Sequence, residues 1–600
     1  MDRPSPQTAD LAWAEDGAPR STRYGDIYFS PEDGLAESRA VFLEGCGLPD
    51  AWNGRRAFTV GELGFGSGLN ICALLDLWAR TRPPGARLHV FSIEAHPLSA
   101  ADAARALSAF PEVEAQAASL LRRWPPSTPG FHRIDLPEHD AVLDLAVGPV
   151  DWALAEWSGA ADAWFLDGFS PALNPAMWSE PVMAAVAARS RPGARAATFT
   201  VAGHVRRALQ AAGFEVEKRP GHGRKRERLE ARLPGDPSES PSPMVAVVGA
   251  GIAGASVTRA LHALGLQPLV VDPAGGDAAS SFPAALVTPR LDVGDAAVAG
   301  FYAQALERAR ALYREVPGAV TAETVLQFPG HARDSTRFAR ICEQDLWLAG
   351  EMALLNETEA GSRLGEASGG PALLMRRALA VRPAVIRDAW LSAAPWKTSA
   401  VKSLQRTGSG WRLLDGENQL IAEVPNVILA AGWGLAGLSS QAPLRPVRGQ
   451  AEWVEGLTGT ASAWGGYVAP GADGLLFGAT HDRDDIDISP RLEDRARNLR
   501  TLAARLPRLA ERLEDQPIES RAAIRATTPD RLPICGQVDE GLFVLAGLGS
   551  RGFCAAPLLG EHVAALVKGT PSPLPTSFAG RLHPLRFAAD RLQPHGDAPS

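Results

Sequence analysis

The sharpest hydrophobic pattern in the chain is a short apolar run that gives way to glycine. Val245 to Val248 is β-branched and apolar, with only Ala246 as a small residue, and reads as a strand. Gly249, Gly251 and Gly254 follow at the G-x-G-x-x-G spacing. An apolar helical stretch runs on through Leu261 and Leu264, Gly265 closes it, and a second strand, PLVVD, ends in Asp272. Each part has a physical task. The first glycine permits the strand-to-helix turn, the second lets backbone approach a pyrophosphate, and the third lets helix pack close to strand. The helix N-terminus offers N–H groups and partial positive charge to the phosphates. Asp272 stands where a carboxylate can bind a ribose hydroxyl. The pattern predicts a dinucleotide site that begins in mid-chain.

A related pattern fills the first part. The apolar run AFTVGEL enters GELGFGSGLN (Gly61 to Asn70), and a helix is expected through Trp78. A further strand, LHVFSIEAHP, ends in Glu94, placed to hold ribose hydroxyls as Asp272 would. Ala163 to Leu166 reads as a buried strand with Asp167 at its carboxyl end, where open parallel sheets bind ligands. Gly-Phe-Ser-Pro then predicts a tight loop over the site. ATFTV is expected as a strand, VRRALQAAGF as a helix and KRPGHGRKRERLEARL as a basic stretch with bends at Gly221 and Gly223. Arg224, Lys225, Arg226 and Arg228 of that stretch are candidate RNA-phosphate contacts. The E-x-G-x-G-x-G of Glu62, Gly64, Gly66 and Gly68 resembles the first motif of class I S-adenosylmethionine-dependent methyltransferases. That resemblance implies that these residues, Glu94 and Asp167 line the cofactor site. Many such enzymes acting on amino nitrogens put an acid or amide at the Asp167 position, to orient the acceptor amine.

LPGDPSESPSP is almost free of apolar residues and reads as a linker at 236–243 between domains 1–235 and 244–600. In the second domain, NVILAAGWG (426–434) is a strand ending in a small-residue turn, and LLFGAT is one strand of a separate substrate sheet. GLFVLAGLGSRGFCAAPLLGEHVAALV (541–567) reads as strand, glycine turn and helix, with Gly549, Ser550 and Gly552 at the helix N-terminus and facing the cofactor. Composition narrows the classes. Six hundred residues exceed one core. Five scattered cysteines without C-x-x-C argue against disulfide framework and zinc site, and fit a reducing cytoplasm. No apolar run reaches the ~20 residues of a membrane span. The N-terminus lacks the apolar core of a signal peptide, and a net charge of −8 does not advertise a nucleic-acid binder. Neither a metal nor a membrane is expected.

Taken together, the motifs resemble one family, the bacterial bifunctional tRNA-modifying MnmC proteins. In the first half the likeness rests on YGDIYFSPEDGLAES, GELGFGSGLN, FSIEAHPL, DAWFLDGFSPALNP and GHGRKRERLEA. In the second half it rests on VVGAGIAGAS, PLRPVRGQ, FGATHDRDD, TTPDRLP and GLGSRGFCAAPLLGE. The resemblance implies an α/β chain: a class I methyltransferase domain of Rossmann-like fold, then an FAD-binding domain of the D-amino-acid oxidase type with a mixed substrate sheet. It implies FAD and S-adenosylmethionine as cofactors, tRNA as partner and a monomer in the cytoplasm. The oxidase half would remove the carboxymethyl group from carboxymethylaminomethyl-uridine at the wobble position, and the transferase half would methylate the freed amine. Arg525 lies in the segment that carries the carboxylate-binding arginine of related amine oxidases, and Arg551 is the second candidate. One departure stands out. Where the family reads A-S-G-N-x-A-G, residues 279–285 are ASSFPAA, so Ser281, Phe282 and Ala285 replace two glycines and an asparagine. A Cβ forced into positive φ would cost about 1 kcal/mol. Two other readings stay open at this point: a small-molecule glycine or sarcosine oxidase fused to a separate methyltransferase, and a tRNA methyltransferase whose flavin half has decayed to a scaffold.

Overall fold

The structure, a computed structural model, describes residues 8–15, 17–30, 33–223, 226–236, 243–275, 278–331, 334–438 and 442–587. The chain divides into two compact units, Met1–Pro241 with Pro571–Thr576, and Ser242–Thr570 with Ser577–Ser600. Most of the expected linker, residues 237–242, lies outside the described residues.

In the first unit, eight strands form one sheet. From edge to edge they are Gly130–Leu136, Ala141–Val147, Arg87–Glu94, Ala57–Leu63, Ala161–Leu166, Ser190–Thr198, Glu227–Arg232 and Glu215–Pro220. The five strands from Ala141–Val147 to Ser190–Thr198 are parallel, and the outer ones are antiparallel. Parallel strands are covered on both faces, which is why Val60, Leu63, Val90, Ile93 and the unbroken apolar run Ala163 to Leu166 are all buried. The chain builds outward from Ala57–Leu63 in one direction and later in the other. That strand is the switch point of the sheet, and its carboxyl end is where such sheets open a ligand crevice. The strand expected at ATFTV starts earlier, at Ser190, and ends at Thr198. Pairing with Ala161–Leu166 and Glu227–Arg232 decides its extent, despite Pro192 and Gly193, which hide it in the sequence. The basic stretch is a hairpin of Glu215–Pro220 and Glu227–Arg232.

The second unit holds a nucleotide-type sheet and a larger mixed sheet. The former runs Trp396–Thr398, Leu269–Asp272, Val245–Val248, Asn426–Leu429, Leu542–Ala546 and Ile534–Asp539, parallel except for the last strand. The mixed sheet is built on Arg445–Glu455, which pairs antiparallel with Glu519–Thr527 and Gly474–Gly478. Its polar sequence is satisfied internally. Arg448 is fully buried, pairs with Asp494, and donates to Gln450 Oε1 at 3.2 Å and to Ser489 O at 2.7 Å. The PLRPVRGQ strand thus anchors the loop that follows FGATHDRDD, and a buried charge so completely bonded avoids the penalty of an orphan.

Three helices cover the nucleotide sheet: Ile252–Ala263, Ala296–Arg314 and Gly552–Lys568. One buried carboxylate joins them. Glu561 receives Arg308 Nε at 2.9 and 3.0 Å and pairs with Arg259. Gly560 lets the helices approach, since a Cβ there would lie 2.7 Å from the backbone carbon of Ser256. Gly560→Val should therefore push apart the two helices whose N-termini face the site. We expect a loss of about 1–3 kcal/mol or more in the unfolding of the second unit and a lower flavin content. Denaturant unfolding followed by flavin fluorescence checks both, and an unchanged midpoint would contradict this packing.

Candidate active sites

The first site is built by three stretches that meet at the carboxyl end of Ala57–Leu63. The turn Gly64–Gly68 opens the helix Leu69–Thr81, with Gly68 in the left-handed region (φ 79°). Glu94, at the end of the neighbouring strand, accepts the Gly66 N–H at 2.9 Å and the His96 N–H at 2.9 Å. It therefore clamps the turn to its own strand. Asp167, at the end of Ala161–Leu166, accepts from its neighbour's Gly168 N–H at 2.8 Å and from Asn70 Nδ2 at 2.7 Å. Asn70 is held in turn by Ser38 Oγ, 2.7 Å from its Oδ1. Glu62 lies beneath them, fully buried, with Ser92 Oγ 2.5 Å from its Oε2.

Charge gives this site its character. Burial, then Asp167 and Glu94, raise the Glu62 carboxyl to about 8, and burial with Asp167 raises Glu94. Three carboxyl groups crowd one crevice, so a cationic ligand relieves their repulsion. S-adenosylmethionine, with its sulfonium and ammonium groups, fits that donor set. The aromatic groups Tyr24, Tyr28 and Phe169 stand over the same crevice. Tyr24 and Tyr28 pack on Phe169 with ring centroids 4.9 and 5.2 Å apart, and a Cβ on Gly66 would lie 3.3 Å from the Tyr28 ring. Asp26 accepts the Ser170 N–H at 2.9 Å, fastening the YGDIYF stretch to the loop after Asp167. Sequence reasoning gave Ser38, Asn70 and these aromatics no role. The one signal was the density of Tyr, Asp and Phe in YGDIYF.

The second unit repeats the clamp. Asp272 accepts the Ala250 N–H at 2.8 Å and the Ala274 N–H at 2.9 Å. Gly249 is required twice over: its φ is 106°, and a Cβ would lie 2.6 Å from Ala430 O. Gly254 packs below the turn, where a Cβ would meet Gly249 O at 1.8 Å. Gly251 faces a cavity of about 960 Å³. Asp272, the Ala430–Gly434 turn, Gly549, Ser550, Arg551 and Gly552 share its wall. A glycine cradle, a strand-end acid and a second glycine turn along one long cavity fit FAD. The mixed sheet supplies Tyr467, Thr480, His481 and Arg525 to the wall. Arg525 Nη1 donates to Thr480 O at 3.3 Å, and a Cβ on Gly449 would lie 2.3 Å from its guanidinium. Burial pulls Arg525 below the ordinary guanidinium value, burial and Arg525 pull His481 below the ordinary imidazole value, and burial raises Tyr467. Tyr467 and His481 are thus neutral near pH 7, and Arg525 carries the charge. Among the described residues no carboxylate forms an ion pair with it. Arg551 donates to Thr288 Oγ1.

Two expectations need correcting or reducing. Ser281, Phe282 and Ala285 are not among the residues with positive φ, so the strain expected of ASSFPAA does not arise. Ser281 Oγ accepts from Arg387 at 2.9 Å, Ser281 O accepts from Arg521 at 2.8 Å, and Phe282 lies 5.7 Å from the Arg521 guanidinium. Ala285 pairs with Val381 in the mixed sheet. Of the four basic candidates for RNA contact, Arg224 and Lys225 lie outside the described residues, and Arg226 is exposed. Arg228 is turned onto Glu230 of its own strand at 2.6 Å. Lys218 and Arg219 likewise pair with Glu227 and Glu217.

The raised Glu62 carboxyl gives a signed prediction. Its folded-state value lies above the ordinary carboxyl range, so the folded unit keeps a proton that the unfolded chain releases. This contribution is present at low pH and is lost as pH rises through about 8. Without added ligand, Glu62→Gln should gain stability relative to the parent as pH increases from about 5 to 9. Thermal unfolding across that range checks it, and parallel pH profiles would exclude the effect.

Comparison with known proteins names the class of both halves. A family model described as S-adenosyl-L-methionine-dependent methyltransferase matches residues 111–234, and one described as FAD dependent oxidoreductase matches 244–566. The chain is 57% identical to the tRNA 5-methylaminomethyl-2-thiouridine biosynthesis bifunctional protein MnmC of Caulobacter vibrioides, over 97% of this chain and 98% of that one. It is 40% identical to the protein of the same name from Maricaulis maris, over 98% and 97%. The L-proline dehydrogenase of P. horikoshii shares the fold of the second half, with a TM-score of 0.50 and 18% identity, over 59% of this chain and 100% of that one. Among the described residues no helix is long and apolar enough to cross a membrane, and no His, Cys, Asp or Glu group is placed to hold a metal. The chain belongs to the MnmC family, an enzyme with an S-adenosylmethionine-dependent methyltransferase half followed by an FAD-dependent oxidoreductase half.

Proposed function

We propose that the chain completes the 5-methylaminomethyl-(2-thio)uridine modification at the wobble position of tRNA, in two steps. The oxidoreductase half converts the carboxymethylaminomethyl arm to aminomethyl, and the methyltransferase half then methylates the freed amine. The observation that carries the reading is Arg525, a guanidinium in the wall of the flavin-type cavity that forms no ion pair with a carboxylate among the described residues. A forked, permanently charged group suits the carboxylate that the substrate bears and the product lacks.

A bound FAD would supply the two-electron oxidant for the bond between the amine nitrogen and the methylene next to the carboxylate. The resulting substrate imine adds water and releases glyoxylate and the aminomethyl group. Arg525 holds the carboxylate and so fixes the methylene hydrogens in place. Neutral Tyr467 and His481 can bond the arm without competing for Arg525. A bound S-adenosylmethionine would supply the methyl group in the other half. There Asp167, oriented by Asn70 and the Gly168 N–H, accepts a hydrogen bond from the neutral amine and afterwards takes its proton.

The intact glycine cradle and unstrained 281–285 segment weigh against a decayed flavin scaffold. Full-length relatives named for tRNA modification weigh against a fused small-molecule oxidase. A tRNA substrate puts the enzyme in the cytoplasm, and the reading includes a monomer. Arg224, Lys225, Arg226 and Arg228 remain candidates for tRNA contact; of the two that are described, Arg226 is exposed and Arg228 is paired with Glu230.

Arg525→Ala should lower single-turnover flavin reduction by modified tRNA about a hundredfold or more, with FAD content and methylation of aminomethyl-tRNA unchanged. Arg525→Lys should recover little. Flavin reduction at the parent rate in Arg525→Ala would make the residue structural. In the other half, Asp167→Ala should lower turnover far more than it weakens cofactor binding, and Glu94→Ala should do the reverse. Calorimetry beside a methylation assay separates them, and equal loss of binding in both variants refutes the division of roles.

A further inference from the structure

Next to the flavin-type cavity lies a second one of about 500 Å³, and the two share Gln327, Trp464 and Arg551. Four arginines line this vestibule, Arg290, Arg337, Arg531 and Arg551, against two acids. Asp292 pairs with Arg290 at 3.1 Å, and Asp334 with Arg337 at 3.2 Å. Both acids also have backbone duties: Asp292 accepts the Gly294 and Asp295 N–H groups, and Asp334 those of Gly330 and His331. Among the described residues Arg531 and Arg551 have no carboxylate partner, so the vestibule keeps an excess of positive charge. The crowding is felt: burial, then Arg337 and Arg290, work to lower Arg551 below the ordinary guanidinium value.

Two further features point to a ligand. Arg531 sits in the left-handed region at φ 60°, a strained conformation for a residue that bears a side chain. The turn around it is over-determined: Asp530 accepts Thr528 Oγ1 at 3.0 Å, the Leu532 N–H at 3.0 Å and Arg586 at 2.8 Å. Strain held in this way marks functional positions. Trp464, half-buried, adds flat apolar surface to the same wall, with Phe338 buried in the core behind it. Guanidinium groups beside a half-buried tryptophan ring are what an unpaired nucleotide needs, the former for its phosphates and the latter for its base.

We propose that this vestibule is the subsite for the target nucleotide's own backbone, binding its flanking phosphates while the modified arm passes into the adjoining cavity toward Arg525. The inference rests on the tRNA reading above. It divides the work of the arginines: Arg525 reads the carboxylate, the vestibule reads phosphate, and Arg551 lines both spaces.

The probe is uridine 3′,5′-bisphosphate, with uridine as its phosphate-free control, each used to inhibit oxidation of a modified anticodon stem-loop by the full-length holoenzyme. The bisphosphate should inhibit the parent protein at least about tenfold more tightly than uridine. Arg531→Gln and Arg337→Gln should each weaken the bisphosphate by roughly tenfold, leave uridine unchanged, and flatten the salt dependence by about one phosphate contact. Arg531→Lys, which keeps the charge, should retain most of the inhibition. A bisphosphate no better than uridine, or variants with the parent inhibition constants, would overturn the vestibule while leaving the tRNA reading in place. A parent holoenzyme that does not oxidise the stem-loop at all would overturn that reading and the vestibule with it.

Discussion

A carboxylate at the end of the second strand, accepting two backbone N–H groups, holds each half of the enzyme ready for its ligand. Glu94 takes the N–H of Gly66 and of His96, and Asp272 takes that of Ala250 and of Ala274. In both cases one donor belongs to the glycine turn and the other lies two residues past the acid. Such charge-assisted bonds are stronger than neutral ones, and they fix the turn against the strand beside it. The glycines, the helix N-terminus and the crevice at the carboxyl end of the sheet all take their positions from that bond.

From the same frame the two halves diverge in charge. Around the first turn Glu62, Glu94 and Asp167 accumulate, and the crevice favours cations and neutral amines. Around the second, one acid stands at the glycine turn while Arg525 and Arg551 line the rest of the cavity, which favours anions. The difference matches the chemistry. A diphosphate cofactor and a carboxylate-bearing substrate belong to the second half, and a sulfonium cofactor with an amine acceptor to the first. It also orders the steps, because the unoxidised arm brings a carboxylate that a crevice lined by Asp167 and Glu94 disfavours, and oxidation removes it.

Local signals in the sequence carried much of this. Strand, glycine turn, helix and strand-end acid are contiguous, so Gly249 to Gly254, Asp272 and Glu94 were legible from position and spacing, and Gly64 to Gly68 from likeness to a methyltransferase motif. Asp167 was legible because an apolar run ended in an acid. What spacing does not reveal is contact across the fold. Ser38 reaches Asn70 and Asp26 reaches Ser170 only once the sheet has formed, and Arg448 finds Asp494 by the same route. The hairpin misled for a related reason: its glutamates alternate with its arginines in sequence but lie beside them in space. At 281–285 a family pattern suggested strain, whereas the backbone there follows ordinary φ values and Phe282 lies against Arg521.

The claim that the two halves act in sequence on one wobble base has a direct test. Purified holoenzyme is incubated with tRNA bearing carboxymethylaminomethyl-uridine, with and without S-adenosylmethionine, and the nucleosides are identified by mass spectrometry over time. The account requires aminomethyl-uridine and glyoxylate alone when the methyl donor is withheld, and methylaminomethyl-uridine by way of aminomethyl-uridine when it is present. Methylation of the carboxymethylated arm before oxidation, or an unaltered substrate beside an enzyme that oxidises free sarcosine, would contradict it.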